Sequence, residues 1–284
     1  MIRKSLIVFI FIFAAFNIYL KTSQKQFDAF QYQYQLNVIR AQKYIYDSEH
    51  NPPSVMIGTS LSAMLPLPDS IYNLSMPGLN IVDGIGVIKA APALPRTVFI
   101  ETNFFFSVPS KSFADLFSND INNQMKIWLP GMRDQNQPAN ILMSAFRTNS
   151  KMVERPSPGN DAIPAPALFE KLLEKQKNRF KDADTPIINR ELEKVAEFVQ
   201  MVTASGGKVC FFQMPVEPVL ESLPLTTVVR ESIHSRFQHQ ENVYFLDPPK
   251  EHNYRTMDGI HLSPTGLWDY SIYFREETTR LFGK

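Results

Sequence analysis

The longest apolar pattern in the chain comes first. From Leu6 to Leu20 only Asn17 is polar; Arg3 and Lys4 precede the run and Lys21 follows it. Wound as a helix it is about 22 Å long, short of the ~30 Å hydrocarbon core, and flanking Lys and Arg side chains can reach the interface to make up the difference. No polar stripe runs along it, as one would along a helix buried on one side of a core. A cleaved signal peptide is the rival reading, but bulky Phe16 to Leu20 offers no small-x-small cleavage site. Residues 1–21 are therefore read as a retained membrane anchor. The basic residues ahead of it put the amino end in the cytoplasm and the body on the far face, as a single-pass inner-membrane protein with a periplasmic domain.

Beyond the anchor the period changes several times. Phe27, Phe30, Tyr34, Val38, Ala41 and Ile45 recur at steps of three and four, which predicts a helix within residues 22–53. This juxtamembrane helix or stalk has tyrosines that either rest at the membrane interface or pack against the domain. Five short apolar runs then read as buried strands: Val55–Ile57, Ile71–Gly78, Thr97–Asn103, Lys208–Met214 and Val243–Asp247. Helical spacing lies between them, at Asn80–Ala91, Pro166–Phe180, Ile187–Ala204 and Thr227–Phe237, with a short helix after Ser60 and a last one over about 265–282. Residues 107–166 are rich in Ser, Asn, Gln and Pro. They read as an insertion with short helices around 111–128 and 138–147, able to form a cap over a site.

Strands alternating with helices predict an α/β domain over residues 54–284, its five-stranded parallel sheet covered on both faces. Right-handed crossovers then bring all the strand carboxyl ends to one rim. Ser60, Gly78 and Asn103 each end or follow a strand, so all three fall there. Composition narrows the rest. The formal net charge of +1 gives no sign of a nucleic-acid partner, and the single Cys210 excludes an intramolecular disulfide. No Cys/His cluster has metal spacing, so no metal or other cofactor is expected. Cys210 lies mid-strand and reads as a small buried residue.

An acyl-transfer serine needs a base, an orienter for the base and donors for the oxyanion. Ser60 can be the nucleophile and His261 the base. Asp258, three residues earlier beside Gly259, can hold one ring nitrogen and leave the other for Ser60. Asp247, at the end of the fifth strand, is a competing orienter ranked below it. The backbone N–H groups of Ser60 and Gly78 and the side-chain amide of Asn103 are the candidate oxyanion donors. His50, His234, His239 and His252 lie in polar surroundings and read as surface residues.

Gly58-Thr59-Ser60, Gly78, Asn103 and Asp258-x-x-His261 resemble, in order and spacing, the four blocks of the SGNH (GDSL-like) hydrolase and acyltransferase superfamily, over roughly residues 54–282. The stretch Asp258-Gly-Ile-His261-Leu-Ser-Pro-x-Gly266 carries most of the likeness. The resemblance implies a flavodoxin-like α/β/α sandwich with Ser60 as nucleophile and His261 as base. Two positions depart from the pattern. Thr59 stands where the family has Asp, an exchange common in its membrane-associated and polysaccharide-modifying branches. Glu101 stands where the third block has Gly, two residues before Asn103.

The anchor and the site together resemble proteins that O-acylate envelope or exported polysaccharides, where a multi-spanning membrane protein supplies the acyl group. The expected function is O-acyl transfer, most plausibly acetyl, to a surface glycan. The alternatives are an envelope esterase or lipase, for which Phe104-Phe105-Phe106 could line an acyl groove, and a non-catalytic glycan-binding component of an assembly complex.

Overall fold

The protein is described by a computed structural model covering residues 2–23, 33–47, 53–105, 109–118, 120–146, 159, 161, 164–248 and 254–283. Five parallel strands form one sheet: β1 (Ser54–Ile57), β2 (Ile71–Asn73), β3 (Thr97–Glu101), β4 (Lys208–Phe212) and β5 (Val243–Leu246). Their spatial order is β2-β1-β3-β4-β5. The order reverses between β1 and β3, and in open α/β sheets ligands bind outside the carboxyl ends at such a switch point. The register Ile57↔Ile100 leaves Gly58 beside Glu101 as the two strands end.

Eleven helices are described: α1 (Ile2–Ser23), α2 (Gln33–Tyr46), α3 (Ile81–Ala90), α4 (Lys111–Asp115), α5 (Asp120–Trp128), α6 (Pro138–Phe146), α7 (Pro166–Phe180), α8 (Thr185–Ala204), α9 (Pro218–Glu221), α10 (Pro224–Phe237) and α11 (Pro264–Phe282). They cover both faces of the sheet. On one, Phe274 of α11 meets Phe99 and Phe212 edge-on, and Phe282 meets Tyr244. On the other, Phe237 of α10 stacks on Phe211. There too α3 comes so close that a Cβ at Gly84 would stand 3.0 Å from Ile57.

Caps fix the helices as their sequences suggest. Asn80 and Asp83 form a reciprocal capping box at the start of α3, and Ser263 accepts the Gly266 N–H at the start of α11, with Pro264 in the first turn.

The anchor run forms α1, a helix long and apolar enough to cross a membrane. The helix expected within 22–53 is α2, and its stripe points inward from Val38 on: Val38, Ala41 and Ile45 are buried, as are Tyr44 and Tyr46, while Tyr34 is exposed. Of the two places open to the tyrosines, Tyr44 and Tyr46 take the domain side. Phe27 and Phe30 lie outside the described residues. After Ser60 there is only a turn where a short helix was expected; Pro66 and Pro68 follow at once and leave no room for a helix to run on.

The inserted region has the expected short helices α4, α5 and α6. Residues 109–146 pack against α1, α2 and α3, and the Ser110 N–H bonds Asp83 in the first turn of α3. Gly159 and Asp161 instead bond Thr265 at the start of α11.

Candidate active site

Ser60 follows β1 in a turn that a distant carboxylate organises. Glu101, at the end of the neighbouring β3, is wholly buried. It accepts from the Thr59 N–H (2.9 Å), the Thr59 hydroxyl (2.7 Å), the Ser62 N–H (3.2 Å) and the Ser62 hydroxyl (2.5 Å). Residues on both sides of Ser60 are thereby fastened to one side chain. The close packing also explains Gly58: a Cβ there would fall 2.1 Å from Ser62 Oγ and 2.6 Å from Glu101 Oε2. Burial pushes the Glu101 carboxyl above its ordinary range, against the pull of the Ser62 and Thr59 hydrogen bonds.

His261 sits on a second tight loop. Thr256 and Leu262 form an antiparallel bridge, Met257 N–H bonds His261 O at 2.7 Å, and the residues between them carry the motif. Gly259 takes φ +95°, and a Cβ there would also meet Leu173 at 2.7 Å. The Gly259 carbonyl accepts from Glu217 N–H at 2.8 Å, which ties the loop to the segment after β4. Within the loop, Asp258 Oδ1 accepts the N–H groups of Ile260 (3.1 Å) and His261 (2.8 Å). Its other oxygen, Oδ2, lies 2.8 Å from His261 Nδ1.

The two loops meet. Ser60 Oγ is 2.9 Å from His261 Nε2. With the Nδ1 proton facing Asp258, Nε2 is left to accept the Ser60 O–H. The side chains of His261 and Asp258 are 40% and 19% exposed, so the hydroxyl–imidazole–carboxylate chain opens to solvent at one end while its foundation at Glu101 is closed. For Asp258, burial works against the charge. The hydrogen bonds from the His261 side chain and backbone and from Ile260 outweigh it and hold the carboxyl below its ordinary range.

The other sequence candidates are placed as follows. Gly78 is the third residue of a turn closed by Leu79 N–H to Met76 O at 3.1 Å; Pro77 precedes it and its φ is +78°, as a type II turn requires. Met76 N–H bonds Gly58 O at 2.9 Å, which draws this turn alongside the end of β1. Asn103 is buried and bonds the Met214 backbone twice: Nδ2 to the carbonyl and Oδ1 from the N–H, each at 2.8 Å. An amide carries two N–H donors, and this bond uses one of them.

Asp247 is exposed and its carbonyl accepts from the Tyr273 hydroxyl; the carboxylate beside His261 is Asp258. Phe104 and Phe105 are buried, Phe104 against Phe180 under the Arg179 guanidinium, so neither lines a groove; Phe106 lies outside the described residues. His234 stacks on Phe245, His239 is exposed, and His50 and His252 lie outside the described residues. Cys210 is buried, and burial pushes its thiol far up.

The residues missed as functional by the sequence reading are Glu101 and Ser62. The departure at Glu101 was visible in the sequence, but its role depends on strand neighbours. A cavity of about 610 Å³ opens at the opposite, amino end of the sheet beside Ser54, Arg96 and Lys208. It contains none of the residues just described, so volume does not mark the chemistry here.

Compared with family models, curated proteins and solved structures, the chain matches none.

Proposed function

We propose that this is a serine-dependent acyltransferase of the SGNH type, with a flavodoxin-like α/β/α sandwich held on the outer face of a membrane by α1. The observation that carries the reading is the chain Ser60 Oγ–His261 Nε2 at 2.9 Å and His261 Nδ1–Asp258 Oδ2 at 2.8 Å, assembled from loops two hundred residues apart in sequence. Strand order and the switch-point position of Ser60 support the same reading.

In the proposed reaction Ser60 Oγ attacks the ester carbonyl carbon as its proton passes to His261 Nε2. Asp258 holds the imidazole orientation and stabilises the imidazolium. The negative charge on the carbonyl oxygen meets the N–H groups of Ser60 and Gly78 and the remaining N–H of Asn103. The carbonyl–alkoxide bond breaks and His261 returns the proton to the leaving alcohol, giving an acyl ester on Ser60. A sugar hydroxyl then attacks, gives its proton to His261, and leaves as the O-acyl glycan while Ser60 regains its proton.

The acceptor is a cell-envelope or exported polysaccharide, and the acyl group, an acetyl, comes from a multi-spanning membrane partner. With water as acceptor the same residues make an esterase. Burial of Phe104 and Phe105 removes one support for a lipase.

A fluorophosphonate probe tests the chemistry: it labels the wild-type protein and leaves folded Ser60→Ala unlabelled. Folded wild-type protein that takes no label overturns the enzyme reading in favour of a glycan-binding component. Substantial ester hydrolysis unaffected by added oligosaccharide overturns the transferase half.

A further inference from the structure

The exposed face of α5 is an apolar patch that the site chemistry does not use. Ile121, Met125 and Trp128 stand at i, i+4 and i+7 on one side of this helix, and are 75%, 42% and 68% exposed. The opposite side is fixed to the domain. Asn123 accepts from the Tyr46 hydroxyl and donates to Phe117 O, each at 2.8 Å, and Ile127 packs on the core. The orientation of α5 is therefore set by buried bonds, and it turns three large apolar side chains outward.

What lies next to that face is the end of α1. Along α1 only Asn17 and Leu20 are buried, both in its last turns. Asn17 Oδ1 accepts the Gly131 N–H at 2.8 Å, and a Cβ on Gly131 would stand 3.1 Å from the Phe16 ring. Gly131 belongs to the turn Pro130–Met132 that leaves α5. The Lys21 ammonium is 5.9 Å from the centre of the Trp128 ring. Tryptophan and lysine are residues of the membrane–water interface, and here they come together at the outer end of the apolar helix. The polar Asn17, costly in hydrocarbon, is satisfied by this contact, which fixes how far α1 can sink. The run from Leu6 to Leu20 is also about 8 Å short of the ~30 Å core, so its outer end needs further apolar surface at the same level.

We propose that α5 lies in the outer interface of the bilayer that α1 crosses, with Ile121, Met125 and Trp128 among the acyl chains. The proposal rests on α1 being a membrane anchor. It gives the domain two contacts with one membrane and a defined tilt, where a single span on a loose tether would give none. It also sets the distance to the site. α2 meets Arg133 and Asp134 through Tyr46 and Gln42 at one end, and the Gly78 turn through Asn37 at the other. Asn37 and Tyr46 are nine residues apart, so the Gly78 turn stands about 14 Å along α2 from the Arg133 contact beside α5.

The chain has two tryptophans, so the full-length Trp268→Phe protein reports from Trp128 alone. It is reconstituted into phosphatidylcholine vesicles with bromine on the acyl chains near the headgroup, and membrane integration is scored separately by alkaline carbonate extraction. The expected result is a chain that resists extraction and a Trp128 emission at least about twofold below that in unbrominated vesicles, with Ile121→Glu/Met125→Glu restoring the emission. A carbonate-resistant chain whose Trp128 keeps its full emission overturns the proposal and leaves the anchor standing; a face covered by a second copy or a protein partner gives that result. A chain released by carbonate with Trp128 unquenched overturns both.

Discussion

The two loops that form the candidate site are each organised by a carboxylate, and they use it in opposite ways. On the Ser60 side, Glu101 is sealed from solvent, accepts four hydrogen bonds and never reaches the hydroxyl it supports. On the His261 side, Asp258 is partly open and bonds the imidazole itself. Burial dominates at Glu101 and raises its pKa; hydrogen bonding prevails at Asp258 and lowers it. Glu101 thus holds the turn, while in the proposed reaction Asp258 acts on the charge that develops during proton transfer. A serine turn and a histidine loop that share no local sequence become one unit only because β1 and β3 are neighbours and the 256–262 loop closes over the same rim.

The largest effects should come from removing the groups on either side of the 2.9 Å contact. Ser60→Ala and His261→Ala are each expected to lower model-ester turnover by at least about 10⁴-fold, and the double variant to be scarcely worse, since members of one catalytic unit do not act additively. Losses that multiply would show the two loops working separately. Asp258→Asn should cost about 10³-fold in kcat with near-normal ester binding, because the imidazole loses its orienter and its counter-charge. Equal loss in Asp247→Asn would transfer that role to the end of β5.

Changes at Glu101 sharpen the contrast. Glu101→Ala leaves two N–H groups and the Thr59 hydroxyl without their acceptor in a closed site, the Ser62 hydroxyl keeping Ser75, and is expected to destabilise the fold by about 3 kcal/mol or more. Glu101→Gln keeps the shape but has one acceptor oxygen, so it should fold, with kcat down about tenfold and KM little changed. A Glu101→Gln enzyme as fast as wild type would limit Glu101 to a structural role.

The smallest effects are in pH dependence, where the two carboxylates should pull in opposite directions. Asp258, lowered on folding, contributes stability above the ordinary Asp value of about 3.9 that is lost as pH falls through its folded pKa. Glu101, raised on folding, contributes stability below the ordinary Glu value of about 4.3 that is lost as pH rises toward its folded pKa. Denaturant midpoints across pH 3 to 8 should therefore show wild type losing ground to Glu101→Gln as pH rises. Against Asp258→Asn, wild type should lose ground only below about pH 4. Parallel curves for both variants would remove the distinction.

How much of this could be seen in advance follows from how local each cause is. The strands and longer helices were legible because their signals are periodic and short in range: Pro166–Phe180 is α7 as read, and the other long helices differ only at their ends. Asp258 and His261 were legible as a pair because three residues and a glycine place them on one loop. Three features were not. The turn after Ser60 is held by a side chain forty residues away, which accepts the N–H groups of Thr59 and Ser62. The inward face of α2 depends on Pro77, Arg133 and Asp134, which its own sequence does not announce. Asn103 read as an oxyanion donor by position, yet its pairing with Met214 is set by the strand neighbour β4.

The most direct test of the central claim is to find the acyl group. Protein quenched in acid during turnover of an activated acetyl ester and digested should carry a single acetyl group on the peptide containing Ser60. The adduct should accumulate in His261→Ala far more slowly than in wild type and be absent from Ser60→Ala. Wild-type protein that turns over the ester while Ser60 stays unmodified, or that is acetylated equally in folded His261→Ala, would contradict it.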